Sequence, residues 1–283
     1  MNRQSPIFLF LNMCYAIVKK DWVNNMEKKR IVVKVGSSTI THESGRLNLR
    51  KLDLLARVLS DLNNAGHEVV LVSSGAIAAG CGKMQFDQRP QKLKEKQALA
   101  AIGQCELMYI YDQMFAQYSR KVAQLLLTKR DLEDEQLREN ALSTLQVLLA
   151  YQTIPIINEN DSIATEEIVY GDNDTLSAIT ARLIQADLLV LLSDIEGLYE
   201  EDPCVNPAAK KIDVVTKIDE HILAMAGDSN SKVGTGGMVT KLQAAKIATQ
   251  AGCTMVIASG EDPNILYDLV EGKNRGTLFQ ARR

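Results

Sequence analysis

The chain has 283 residues, 46% of them hydrophobic, and 32 basic against 35 acidic side chains give a formal net charge of -3. That length holds one large domain or two small ones, with enough apolar residues for a substantial core. The slightly acidic balance excludes a nucleic-acid binder that works through a broad basic surface. In chain order, residues 7–18 (IFLFLNMCYAIV) form an apolar run too short to cross a bilayer as a helix. No small-residue cleavage site follows it. Residues 1–25 therefore read as an N-terminal extension or a misassigned start ahead of Met26, disordered or packed opportunistically, and 26–283 as one domain.

From Arg30 onward, runs of strand length alternate with helical patterns. IVVKVG (31–36) and HEVVLVSSG (67–75) are β-branched and end in small residues. Between them LRKLDLLARVLSDLNNAG (49–66) carries leucines at helical spacing and a glycine stop. Helices are then expected over 91–119, 139–151, 174–186 and 238–251. Strands are expected at VAQLLLT (122–128), TIPIIN (153–158), DLLVLLSD (187–194) and TMVIASG (254–260). Continuous apolar strands separated by helices predict an α/β fold with a mainly parallel sheet covered on both faces. There is no internal repeat and no long linker. Ligands of such sheets sit beyond the carboxyl ends of the strands, which directs attention to the residues there.

Four predicted strands end in polar or glycine-containing segments. KVGSS places Lys34, Gly36, Ser37 and Ser38 after the first strand, and VSSGAIAAG places Ser73, Ser74 and Gly75 after the second. INENDSIAT and GDNDTLSA gather Asn158, Asn160, Asp161, Asp172, Asn173 and Asp174, and LLSDIEGLY ends a strand at Ser193 and Asp194. A fifth segment, VGTGGMVTK, sets Gly234, Gly236 and Gly237 before a helix with Lys241 in its first turn. Glycines let consecutive amides face one ligand, and a helix N-terminus adds unpaired N–H groups and partial positive charge. A lone loop of this kind is more often a turn. Here a second lysine stands at another strand end beside a second small-residue loop, and the combination points to a phosphate site.

The familiar nucleotide motifs are absent. No Gly-Lys-Ser/Thr exists for a Walker A loop, the G-x-G-x-x-G pattern that starts at Gly234 meets Val239 at its last position, and there is no H-R-D or D-F-G. The amide and carboxylate cluster suits a small zwitterion, carboxylates attracting an ammonium and amides holding a carboxylate. It would equally suit Mg²⁺ bound with phosphate oxygens. Asp172 or Asn173 is expected to cap the helix near Asp174.

The five cysteines, Cys14, Cys81, Cys105, Cys204 and Cys253, form no C-x-x-C pair and suggest reduced thiols in a cytoplasmic protein. The three histidines show no zinc-ligand spacing. QKLKEKQ (91–97) reads as a solvated helix face, and Cys81 as a small filler rather than a nucleophile.

In this order, KVGSS, VSSGAIAAG, INENDSIAT, GDNDTLSA, LLSDIEGLY and GDSNSKVGTGGMVTK resemble the motifs of the amino acid kinase family. The resemblance covers nearly all of 30–279. INEND and GTGGM-x-TK point to members that phosphorylate the side-chain carboxylate of L-glutamate, the first step of proline synthesis. It implies a three-layer sandwich around a mainly parallel sheet of about eight strands, and ATP with Mg²⁺ carried on its phosphates rather than at a dedicated metal site. Lys34 and Lys241 correspond to the lysines that neutralise the transferred phosphoryl, and Asp174 to the aspartate that organises them. Ser74, Gly75, Asn158, Asp161, Asp172 and Asn173 correspond to substrate positions. Lys34, Gly36, Ser193, Asp194, Thr235, Gly236, Gly237, Met238 and Lys241 correspond to nucleotide positions. Feedback inhibition by proline at an overlapping site and a homo-oligomer are implied, with no nucleic-acid or membrane partner. Many such members continue into a C-terminal PUA domain, whereas this chain stops at Arg283, just after GTLF. Rival readings are a relative acting on acetylglutamate, aspartate, carbamate or UMP, a non-catalytic amino-acid sensor, and a nicotinamide oxidoreductase.

Overall fold

A computed structural model describes residues 27–86, 88–163, 173–203, 205–225 and 237–282. The expected 1–25 extension lies outside these residues. β1 (Arg30–Val35), β2 (Glu68–Ser73), β3 (Val122–Leu127), β4 (Ile154–Glu159), β5 (Leu188–Ser193), β8 (Val214–Val215), β9 (Thr254–Ser259) and β10 (Thr277–Phe279) form an eight-stranded sheet. Its order is β3-β4-β2-β1-β5-β9-β10-β8. β10 runs antiparallel to β9, while the neighbours from β3 to β9 are parallel. β6 (Leu198–Tyr199) and β7 (Lys211–Ile212) make a separate two-stranded ribbon.

The helices are α1 (Ser37–Ile40), α2 (Leu49–Asn64), α3 (Ala76–Lys83), α4 (Leu93–Ala116), α5 (Lys129–Glu133), α6 (Glu135–Ala150), α7 (Asn173–Leu183), α8 (Glu220–Met225), α9 (Met238–Gln250) and α10 (Ile265–Val270). Strand alternation divides the core in two. Ile31, Val33, Val35, Val69 and Leu71 pack with Leu52, Leu55 and Leu59 of α2 and with Leu107, Tyr111 and Phe115 of α4. Val32, Val70, Val72, Leu189 and Leu191 pack with Leu176 and Ala178 of α7 and with Leu242 and Ala245 of α9. The strands read as unbroken apolar runs because both faces are covered.

One helix departs clearly from expectation at its start, and a short one ahead of it was not expected. α6 begins four residues early, at Glu135, because Asp134 caps it by accepting the Leu137 N–H at 3.0 Å. Ahead of it, Thr128 and Asp131 form a reciprocal capping box on α5, a T-x-x-D pattern that an apolar periodicity search passes over. The α3–α4 crossing is unusually close. A Cβ on Gly103 would lie 1.7 Å from the Ala76 carbonyl oxygen, so only glycine allows this approach.

His67, in the turn between α2 and β2, is buried, and its Nδ1 accepts the Lys29 N–H at 3.1 Å. Burial, and then the charge of Lys29, lower its pKa from the ordinary 6.5. The unfolded chain therefore takes up this proton first as pH falls. The His67 contribution to stability is complete above pH 6.5 and declines below it, until the folded form also protonates. Over that window stability falls as pH drops. Urea unfolding at several pH values should show a shallower acid loss for His67→Asn than for the wild type. Parallel curves would remove His67 as the titrating group.

Candidate active site

The parallel strands bring their carboxyl ends to one rim. In β1, Val32 faces the α7–α9 layer, so Lys34, two residues on, turns to the same side. There it meets Asp174, in the first turn of α7, and Lys241, in the first turn of α9. The Lys34 Nζ lies 2.6 Å from one Asp174 carboxylate oxygen, and the Lys241 Nζ lies 3.3 Å from the other. Thr240 Oγ1 also donates to that second oxygen, at 2.8 Å. All three charged residues are buried, at 8%, 1% and 5% exposure for Lys34, Asp174 and Lys241.

Desolvation pushes the Asp174 carboxyl upward, but Lys34, Lys241 and the hydrogen bonds from Lys34 and Thr240 outweigh it and hold the pKa at about 2. Two ammonium groups thus converge on one carboxylate in a desolvated place. A Cβ on Gly36 would stand 3.6 Å from the Lys34 Nζ, in ordinary contact with it.

On the other side of the sheet end lies a row of amides. Asn173 Nδ2 donates to Ser74 Oγ at 2.7 Å and to Asn158 Oδ1 at 2.9 Å. Asn158 Nδ2 donates to Gln104 Oε1 at 2.9 Å. The Glu159 N–H donates to Asn158 Oδ1 at 2.9 Å and to Asn173 Oδ1 at 3.3 Å. Asn173 is thus the first helical residue of α7, and its side chain bridges strand ends instead of capping the helix. Asp172, the other capping candidate, lies outside the described residues, as do Thr235 and Gly236.

A cleft of about 520 Å³ opens over Ser74, Glu159 and Asn173 of this row, with Asn158 and Gln104 buried behind its lining. Ser74, Gly75, Asp161 and Asn173 line it with Ser37, Ser38, Arg46 and Arg89. Gly75 caps the start of α3 with φ 107°, a left-handed backbone that favours glycine. Ser193 and Asp194 sit at the end of β5, joined by a 2.9 Å bond from Ser193 Oγ to the Asp194 carboxylate. The neighbouring Gly260 N–H donates to the Ser193 carbonyl at 2.7 Å. Gly237 precedes α9 with φ -72° and ψ -178°. This is extended backbone open to any residue, so its glycine is not there for a positive φ. Met238 opens the helix and packs partly against the core.

The sequence reading missed Gln104, Tyr111 and Thr240. Gln104 and Tyr111 lie seven residues apart on α4, on the face that packs against the sheet. Polar groups on an otherwise apolar helix face were the available signal. Among the described residues no helix is long and apolar enough to cross a membrane.

Residues 29–259 match the amino acid kinase family, and the chain belongs to it. Within that family it groups with the glutamate 5-kinases. It is 50% identical over 261 residues to the Glutamate 5-kinase of Clostridium perfringens, covering 91% of this chain and 97% of that one. To the Glutamate 5-kinase of Clostridium tetani it is 51% identical over 263 residues, covering 93% and 98%. The carbamate kinase from Giardia lamblia bound to AMP-PNP superposes with a TM-score of 0.64 at 16% identity, over 91% of this chain and 100% of that one. This last likeness shows the shared fold.

Proposed function

We propose that the protein transfers the γ-phosphoryl group of ATP to the side-chain carboxylate of L-glutamate, giving L-glutamyl 5-phosphate and ADP, the first step of proline biosynthesis. The observation that carries the reading is the convergence of two buried ammonium groups, Lys34 and Lys241, on Asp174, adjacent in the chain to the Asn173 amide that lines the cleft. Kinship with the glutamate 5-kinases supports the choice of substrate.

The chemistry joins two anions. The bond between the γ-phosphorus and the β-bridging oxygen breaks as a glutamate carboxylate oxygen bonds to phosphorus. The acceptor is already ionised at pH 7, so no general base is required. Catalysis rests on alignment and charge neutralisation. Lys34 and Lys241 hold the transferred group, and Asp174 keeps both ammoniums converged on it. Gly36, Ser193, Asp194, Gly237 and Met238 belong to the nucleotide side, together with Thr235 and Gly236. Mg²⁺, carried on the ATP phosphates, would neutralise part of their charge.

Ser74, Gly75, Asn173, Asp161 and Asp172 hold glutamate, Asp161 receiving its α-ammonium, and Asn158 behind them orients the Asn173 amide. Losing a hydrogen bond to a charged group costs about 1.5–3 kcal/mol, so Asp161→Ala raises the KM for glutamate by roughly ten- to a hundredfold and leaves kcat much less affected. Steady-state kinetics check this, and an unchanged KM would take Asp161 out of the pocket. Proline carries the same α-ammonium and α-carboxylate, which supports inhibition at an overlapping site. Exposed Tyr109, Leu137, Val147 and Tyr151 on and beside α4 and α6 support a homo-oligomer, and the free thiols of Cys81, Cys105 and Cys253 suit a cytoplasmic enzyme.

The test is purified protein with ATP, Mg²⁺, glutamate and hydroxylamine, which traps an acyl phosphate as its hydroxamate. Glutamyl hydroxamate should form only with ATP present. N-acetylglutamate, which lacks the ammonium, should give little. Equal product from N-acetylglutamate, or none from glutamate, would reject the assignment.

A further inference from the structure

We propose that Gln104 of α4 is a positioning residue of the substrate pocket, its side-chain carbonyl holding the Asn158 amide, and through it Asn173 and Ser74, in the orientation that receives glutamate. The proposal rests on reading this pocket as the glutamate site. Gln104 and Asn158 are buried, at 8% and 2% exposure, and neither needs to touch the substrate to act.

The directions of the hydrogen bonds carry the argument. The Glu159 N–H belongs to the backbone and cannot turn over. It points at the Oδ1 atoms of both Asn158 and Asn173. With Oδ1 so held, the Asn158 Nδ2 faces Gln104 Oε1 at 2.9 Å. Asn173 Nδ2 is left to serve Asn158 Oδ1 and Ser74 Oγ. Turning the Asn158 amide over would set its oxygen against the Gln104 oxygen and its NH₂ against the Asn173 NH₂ and the Glu159 N–H. An acceptor at position 104 therefore closes one self-consistent pattern.

The helix that carries Gln104 is itself locked to the site. Tyr111, seven residues further on the same face, shares a 2.8 Å hydrogen bond with Ser73 Oγ, next to Ser74. Gly103 abuts the Ala76 carbonyl, immediately after Gly75. α4 thus braces the ends of β2 and β4 together, and Gln104 is its contact with the second.

The test compares Gln104→Met, which keeps length and removes the acceptor, with Gln104→Glu, which keeps an accepting oxygen. Thermal unfolding is measured for each, and Gln104→Asn, whose acceptor is set back by one methylene, replaces Q104M if that variant does not fold at the assay temperature. From the usual net worth of one buried hydrogen bond, Q104M should raise the KM for glutamate about five- to tenfold. kcat and the KM for ATP should stay within about twofold of wild type, since only glutamate's pocket is disturbed. Q104E should recover most of the lost affinity. An unchanged KM for glutamate in the acceptor-free variant, an equal rise for both substrates, or a Q104E no better than Q104M would each overturn the proposal. A wild type that makes no hydroxamate from glutamate overturns the activity reading and this proposal together. An active wild type with normal KM in Q104M overturns this proposal alone.

Discussion

Asp174→Asn leaves two buried ammonium groups without their shared counter-charge, and the protein should lose about 3–5 kcal/mol of stability with its activity. The carboxylate is 1% exposed and touches both Lys34 and Lys241, so water cannot replace it. An amide can still accept from Thr240 but cannot hold two cations at 2.6 and 3.3 Å. The ammoniums would then move apart, and the alignment of the phosphoryl group would go with them. Urea unfolding of both proteins at pH 7 measures the loss. A variant as stable as wild type would mean the cluster is not held by charge.

The same carboxylate sets a pH limit. Its pKa is held at about 2 in the folded protein, below the ordinary 3.8. Its stabilising contribution is therefore complete above pH 3.8 and is lost as pH falls through about 2. Asp174→Asn should abolish that part of the acid transition. His67 acts at higher pH, below 6.5, so the two effects separate along the pH axis.

Removing either lysine should act on rate. Deletion of one preorganised donor aimed at charge that develops in the transition state typically costs about 3–4 kcal/mol, or roughly 10²–10³ in kcat. Lys34→Ala and Lys241→Ala should both fall in that range. Each leaves Asp174 paired with the remaining ammonium, so folding persists, and circular dichroism should show native helix content. Near-normal turnover in either variant would place the reaction centre elsewhere.

Much of the sheet was legible because its strands are continuous apolar runs bounded by small residues. The helices over 49–64, 93–116 and 238–250 follow from leucine and alanine spacing to within a few residues. The site was legible as a set of strand ends, since parallel strands place all their carboxyl ends on one rim. The period of two in IVVKV already puts Lys34 on the face of Val32. What the sequence could not convey is which helix covers that face. The convergence of Lys34, Asp174 and Lys241 needs α7 and α9 to pack side by side, a contact between segments far apart in the chain. The role of Gln104 was hidden for a related reason. A glutamine on a long helix usually faces water, and only the docking of α4 against β4 buries it beside Asn158. Asn173 looked like a cap because Asx residues at helix starts commonly are. Its bonds to Ser74 and Asn158 depend on strands brought close by the sheet order β4-β2.

The most direct measurement is a single turnover, with wild type and Lys241→Ala each saturated with ATP, Mg²⁺ and glutamate and the product trapped as hydroxamate. The account predicts a transfer step slower by about 10²–10³ in the variant, while its affinity for a non-hydrolysable ATP analogue, read by calorimetry, weakens by less than about tenfold. A variant that transfers at the wild-type rate once saturated, and differs only in binding the nucleotide, would contradict it.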